Sequence, residues 1–272
     1  MNLLTDEEES EVKELARSHY ESNIKDRQFE NLDRMFGVEV EFSIVDEDGN
    51  LYVGLAEKIS RKLSELPVVA ELGSYQIEVN PPPSELQEGS FSRLHSTLRD
   101  IVDKMNSTGE EFSSLLFPIG IPLNLNEKIF NGDEIYTDSE RYHISAEFSR
   151  RYGKGSSIKF ENGSGLFLPA GSGVTLINEH HTHLQATSTD DVISLFNYSQ
   201  ILTPLFVSLG ANSGITNSKR LSNLEHQIRI FEECEGFFDG KEGVPRVGPF
   251  PGYIQTLDDY FNVALSFRPL YA

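Results

Sequence analysis

Near the amino terminus the apolar residues recur at helical spacing: Val12, Leu15, Ala16 and Tyr20 share one face behind Thr5-Asp6-Glu7-Glu8, which matches a capping box. An amphipathic leading helix over about 5–22 follows. At Phe36 the period drops to two. Phe36, Val38, Val40, Phe42 and Ile44 alternate with Gly37, Glu39, Glu41 and Ser43, and Asp48-Gly49 supplies a turn, so the spacing predicts a strand entering a hairpin. A second alternating run, Ser74 to Asn80, is stopped by Pro81-Pro82-Pro83, which lacks the N–H groups a ladder needs. From Ser90, the residues Phe91, Leu94, Leu98, Ile101, Val102 and Met105 recur at three and four, predicting a helix that covers one face of a sheet. Further helices are expected around Ser139 to Tyr152, from Thr189-Asp190-Asp191 to Gly210 with a kink at Pro204, and over Thr256 to Phe267. Pro118 to Tyr136 reads as a long irregular loop, Glu161 to Gly165 as a turn, and Ser213 to Gly252 as Gly- and Pro-rich chain. With no repeat and no convincing linker, the pattern reads as one α+β domain over 1–272.

Side chains two apart on a strand share a face and lie about 6.5–7 Å apart along it. Glu39 and Glu41 therefore point together, away from Val38, Val40 and Phe42. The second strand puts Gln76, Glu78 and Asn80 on one face and Tyr75, Ile77 and Val79 on the other, with Glu71 opening the segment. A third stretch, Glu179-His180-His181-Thr182-His183-Leu184-Gln185, puts His181, His183 and Gln185 on one face. Alone, a Glu-x-Glu strand is ordinarily a solvated face, and His-x-His is a common spacing. Strands of this kind side by side are different, because converging carboxylates and imidazoles repel or shift their protonation unless a cation compensates. A carboxylate-dominated set suits Mg²⁺ or Mn²⁺ better than zinc.

The charge balance changes the picture further. The 272 residues carry 23 Lys+Arg against 43 Asp+Glu, a net charge of −20, which repels a phosphate backbone and argues against nucleic acid as a partner. The same excess fits a highly soluble surface, and composition does not separate that from cation binding. Cys234, the single cysteine, has no internal disulfide partner, which fits a reducing compartment, and its neighbours Glu232, Glu233 and Glu235 disfavour a thiolate nucleophile. The acidic amino terminus lacks the basic and apolar regions of a signal peptide, and no apolar run approaches the ~20 residues of a membrane helix. A cytoplasmic protein with no membrane partner is expected. Phosphate-binding P-loops, dinucleotide glycine fingerprints and nucleophile elbows are all absent from the sequence.

Taken together, these runs resemble the glutamate–cysteine ligase family, in its carboxylate–amine ligase branch. Phe36-Gly37-Val38-Glu39-Val40-Glu41-Phe42 is similar to the family's opening acidic strand, and Glu71-Leu72 with Gln76-Ile77-Glu78-Val79 and the proline run to its second. His181-Thr182-His183 is similar to its His-x-His strand, and Leu209-Gly210-Ala211-Asn212-Ser213 to the segment that follows, and the ordered resemblance implies a family-like core over about 36–260, from Phe36 to Tyr260. The resemblance implies a glutamine-synthetase-like fold: a curved, mainly antiparallel sheet with helices on its convex face and a metal–ATP funnel on the concave one. It implies ATP and Mg²⁺ (or Mn²⁺) as cofactors. The implied reaction phosphorylates a carboxylate, and an amine then displaces phosphate to form an amide; glutamate and cysteine are the family's best-known pair. Carried over residue by residue, Glu39, Glu41, Glu71, Glu78 and His181 would be metal ligands. His183 would lie beside the nucleotide or substrate, with Gln76 behind the ligands on the cofactor side. Arg229, in Gln227-Ile228-Arg229-Ile230-Phe231, would be the catalytic cation on phosphate or substrate carboxylate. Leu184 and Gln185 stand where the family tends to have small residues, and the chain ends at Ala272 where the family continues. A homo-oligomer, or a second subunit completing the sheet, is therefore expected, with Phe267, Leu270 and Tyr271 of the tail as apolar contacts. The alternative is a non-catalytic homologue that binds nucleotide, metal or amino acid and acts through a partner.

Overall fold

The computed structural model describes residues 4–25, 33–125, 127–235, 252–267 and 269. Helix α1 (Asp6–Lys25) begins on the predicted capping box: Thr5 N–H donates to Glu8 Oε2 at 2.8 Å, and Glu8 N–H donates to Thr5 Oγ1 at 3.3 Å. Strand β1 (Met35–Asp46) is the longest strand, and the main sheet is arranged around it. It is followed by α2 (Ala56–Lys62), β2 (Val68–Ala70), β3 (Gln76–Val79), β4 (Ser84–Glu85), α3 (Ser90–Glu110) and β5 (Ser114–Phe117). Then come α4 (Glu140–Tyr152), the hairpin of β6 (Ser156–Lys159) and β7 (Gly165–Leu168), β8 (His180–Leu184) and α5 (Thr189–Gly210). The short pair β9 (Ile215–Thr216) and β10 (Lys219–Arg220), α6 (Gln227–Glu235) and α7 (Leu257–Ala264) complete the described elements.

All pairings between these strands are antiparallel. Along β1, β3 pairs over Val40–Ser43 and β4 over Met35–Phe36, while β8 pairs over Phe36–Val40 and β5 over Ser43–Asp46. Val40 is opposed by both β3 and β8, and Ser43 by both β3 and β5, so each pair must flank β1 from opposite sides. Strands β3 and β4 thus share one edge of β1, and β8 and β5 the other. Pro81-Pro82-Pro83 bridges the gap between β3 and β4, where their missing N–H groups interrupt pairing.

The apolar side of the sheet is packed by helices. Phe42, Ile44, Ile77, Val79, Val68 and Leu116 form one buried cluster with Ile59 of α2 and Ile101 and Met105 of α3. Each such side chain contributes about 1.5–3 kcal/mol by leaving water, and this burial fixes which face of β1 is turned outward. A second cluster joins Tyr75, Tyr136, Ala146 of α4, Ile158 and Leu168 of the hairpin, and Ile230 and Cys234 of α6. Cys234 is fully buried there, in keeping with its poor prospects as a nucleophile.

Several expectations need correction. The α5 cap is Ser188 rather than Thr189: the Ser188 hydroxyl accepts from Asp191 N–H at 3.2 Å. The stretch 118–136, read as loop, contains two 3-10 turns, Glu127–Asn131 and Asp133–Ile135. Strands β6, β7, β9 and β10 were not foreseen, because their runs are too short to show a period. The exclusion of a membrane-length segment does not hold either. Helix α5 is long and apolar enough to cross a membrane by length and composition, since Val192 to Gly210 carries no charge even though Ser, Thr, Asn and Gln interrupt it. Its Tyr198, Ile201, Leu205, Phe206 and Leu209 are each more than half exposed. Of the Gly- and Pro-rich stretch 213–252, residues 236–251 lie outside the described residues, as do Leu270 and Tyr271 of the proposed apolar tail.

Candidate metal centre

The register of β1 sorts the polar face into two groups. On the β3 edge, Glu41 lies opposite Glu78 and Ser43 opposite Gln76. On the β8 edge, Glu39 lies opposite His181 and Gly37 opposite His183. Directly opposed residues have their Cβ atoms about 4.5–5.5 Å apart, so each pairing brings functional atoms into reach.

The first group is all oxygen. Glu41, Glu71 and Glu78 each offer a carboxylate oxygen, and these atoms lie within 4.8 Å of one another. Burial pushes the Glu41 carboxyl up to about 8, and the charges of Glu71, Glu179 and Glu78 push the same way; the Glu179 N–H, donating to Glu41 Oε2 at 2.8 Å, opposes them. Burial and the Glu78 charge also raise Glu71, against the Tyr142 hydroxyl that donates to its Oε2 at 3.3 Å and the nearby charge of Arg141. Asn80 Nδ2 donates to Glu78 Oε1 at 2.8 Å, while its Oδ1 is buried with no hydrogen-bond partner.

The second group is mixed. Glu39 Oε2 lies 2.9 Å from His181 Nδ1 and 3.2 Å from His183 Nε2, and one atom from each residue falls within 4.8 Å of the others. His181 Nε2 is 2.5 Å from Glu179 Oε2. The Glu179 contact first, and the Glu39 contact after it, raise His181 to about 10 against the opposing effect of burial. Burial works to raise Glu39, but the two histidines outweigh it and hold its carboxyl below the usual range. Beside this group a cleft of about 680 Å³ opens along Pro81-Pro82-Pro83, lined also by Phe36, Glu39 and His183.

These residues fit a divalent cation. Three crowded carboxylates, with one carboxyl forced to keep its proton to pH near 8, and a carbonyl oxygen left without a partner are what a hard, oxygen-seeking ion satisfies. The Glu39, His181 and His183 set adds imidazole nitrogen, which Mn²⁺ and other transition ions accept.

The family described as glutamate-cysteine ligase family 2 matches residues 35–260 of the sequence. The chain belongs to that family. The span agrees closely with the one the ligase-like motifs mark out, from Phe36 to Tyr260. Among curated proteins no sequence matches. Solved structures similar to this family member include the glutamate–cysteine ligase of Francisella tularensis in complex with AMP, at 17% identity and a TM-score of 0.37, covering 66% of this chain and 33% of that one. The bifunctional glutathione synthetase of Pasteurella multocida is similar at 15% identity and a TM-score of 0.33, covering 61% of this chain and 18% of that one. The match thus takes in a third or less of the length of either enzyme.

Of the residues expected from the ligase family, Glu39, Glu41, Glu71, Glu78, His181 and His183 are all brought together in the two groups. Two are not. Gln76 is 1% exposed, and its amide is engaged by the protein: Nε2 donates to Ile177 O at 2.6 Å and Asn178 Oδ1 at 3.1 Å, and Oε1 accepts from Gly73 N–H at 2.8 Å. It anchors the start of β3 instead of presenting a group to a nucleotide. Arg229 is half exposed on α6, where its Nε donates to Glu233 at 2.9 Å, one turn along the same helix. Among the described residues, a cation whose charge reaches Glu71 is Arg141, at the start of α4. Sequence reasoning also passed over Glu179 and Tyr142. Glu179 carried a signal, since it has the same strand parity as His181 and His183. Tyr142 carried none, lying 71 positions from Glu71 on a helix.

Proposed function

We propose that this chain forms the metal- and nucleotide-binding part of an ATP- and Mg²⁺-dependent carboxylate–amine ligase. The carboxylate substrate to test first is glutamate and the amine is cysteine or another amino acid. The observation that carries this reading is the convergence of Glu41, Glu71 and Glu78, and of Glu39, His181 and His183, on the face of β1 turned away from the helix-packed core. Membership of the ligase family supports it. A glutamine-synthetase-like curvature, with the helices on the convex side and the acidic groups on the concave one, belongs to the same proposal.

In this reading Glu41, Glu71 and Glu78, joined by Asn80 Oδ1, hold one ion, and Glu39, His181 and His183 hold a second. A divalent ion held there would supply positive charge against phosphate oxygens, which is the chemistry needed for a γ-phosphoryl group to pass from ATP to a substrate carboxylate and for an amine to displace it as phosphate, leaving the amide. The chain's own part is to hold the charges in place. Glu41 would hold the ion as a carboxylate, having lost the proton that burial and like charges favour without it, and Tyr142 keeps Glu71 oriented through its hydroxyl. The cleft along the three prolines lies against Glu39 and His183 and offers room for the organic part of a ligand. The exposed apolar side of α5 supports the further proposal of an oligomer or a second subunit.

The test is ADP release from ATP with Mg²⁺ and pooled amino acids, using the chain with any protein that co-purifies. Turnover that depends on an amino-acid pair and is lost in Glu41→Gln is expected. Metal and nucleotide binding without any turnover would replace the enzyme reading by a binding subunit.

A further inference from the structure

Glu179 has no part in the ligand sets just described, yet it touches both. Its N–H donates to Glu41 Oε2 at 2.8 Å, and its carbonyl accepts from Glu41 N–H at 3.1 Å. Those contacts are made by the main chain and would survive any side chain. Its carboxylate makes a different contact, with Oε2 lying 2.5 Å from His181 Nε2. The other imidazole nitrogen, Nδ1, faces Glu39 at 2.9 Å. A histidine ligates a metal through one nitrogen while the second carries a proton that needs an acceptor, and the acceptor decides which nitrogen is which.

We infer that Glu179 is the positioning residue for His181: by accepting the Nε2–H bond it fixes the tautomer and the ring plane, so that Nδ1 is presented with Glu39 and His183 to a divalent cation. This rests on the metal-binding reading proposed above and assigns a residue that reading leaves without a role. The side chain is about one-third exposed, so its replacement opens no hole in the core. Glu179 and His181 sit two apart on the same side of the chain entering β8, which places the carboxylate beside the ring from the side opposite Glu39.

Mn²⁺ is the probe. In a Glu41→Gln, Glu78→Gln background, which leaves only the histidine-containing group, Glu179→Leu should weaken Mn²⁺ binding about 10–100-fold by titration calorimetry. Glu179→Gln keeps an acceptor for Nε2–H without the charge, so it should lose less. Added to His181→Asn, Glu179→Leu should cost nothing more, because there is no ring left to position. In the Mg²⁺-loaded wild-type chain, ¹⁵N spectra should show the proton of His181 on Nε2, and Glu179→Leu should mix the tautomers. Two results overturn the inference while leaving the metal reading intact: Glu179→Leu binding Mn²⁺ as tightly as its parent, or costing as much with His181→Asn as without it. A wild-type chain that binds no Mn²⁺ would overturn the metal reading, and this inference with it.

Discussion

Glu39 and Glu41 are two residues apart on one strand and face the same way, yet their chemistry is opposite. Glu41 meets Glu78 across β3, with Glu71 close by, and it is held protonated up to about pH 8 by burial and by like charges. Glu39 meets His181 across β8, with His183 close by, and it is held ionised by two imidazoles. The difference comes from the neighbouring strands. A carboxylate on β1 becomes an acid waiting for a cation on one edge and half of an ion pair on the other. An ion entering the first group relieves repulsion. An ion entering the second must displace existing contacts among Glu39, His181 and His183.

If the acidic group binds Mg²⁺ or Mn²⁺, saturating metal should raise the melting temperature, by about 2.7 kcal/mol of stability at a hundredfold excess over Kd. Glu41→Gln combined with Glu78→Gln should abolish that rise. Because a chain of charge −20 is also stabilised by general screening, Ca²⁺ and high Na⁺ serve as controls in the same thermal scans. A rise that survives both substitutions would move the strong site to the histidine group.

The folded value of Glu41 lies above its unfolded value, so between pH 4.5 and about 8 the native chain keeps a proton the unfolded chain has released. Metal-free stability should therefore fall as pH rises through that window, by at most about 1.4 kcal/mol per unit for one proton. His181, raised from 6.5 to about 10, is stabilising below its unfolded value and extends the fall to alkaline pH. Glu39 runs the other way: its contribution is present above pH 4.5 and is lost on acidification. Urea unfolding as a function of pH should show Glu41→Gln flattening the first window and His181→Asn the second. Identical profiles for the two variants would mean that the groups titrate as one.

The smallest effect separates the groups by a single hydroxyl. Tyr142→Phe removes the 3.3 Å hydrogen bond to Glu71, worth about 0.5–1.5 kcal/mol. Mn²⁺ binding at the acidic group should weaken by roughly two- to tenfold by that measure. Binding at Glu39, His181 and His183, followed in the Glu41→Gln, Glu78→Gln background, should not change.

The alternation of Phe36 to Ile44 and of Ser74 to Asn80 made the two faces of the sheet readable, because a strand's side-chain period is fixed by its backbone. The same reasoning found the helix over Ser90–Glu110 and put Glu39, Glu41, Glu78, His181 and His183 on polar strand faces, whereas Glu71 entered through the family resemblance. It failed where a side chain's partner lies far away in sequence. Gln76 has the right parity for the site, but Ile177 and Asn178, some hundred positions on, engage its amide in the interior. Arg229 has the right charge, but its helix gives it Glu233 as a partner. In α5, helical spacing was legible and the cap was misplaced by one residue, whereas the exposure of its apolar side was not legible, because burial depends on which other elements reach it.

By itself, then, the sequence determined which side chains travel together on each strand and helix, since local backbone geometry admits only periods near 2 and 3.6. Only the tertiary structure decided that Glu41 faces Glu78 while Glu39 faces His181. That choice rests on β8 returning from 142 positions away to one edge of β1, and on three prolines interrupting pairing on the other edge. Strand register between distant segments is set by how both fit against the helix-packed core, and no local period carries that information.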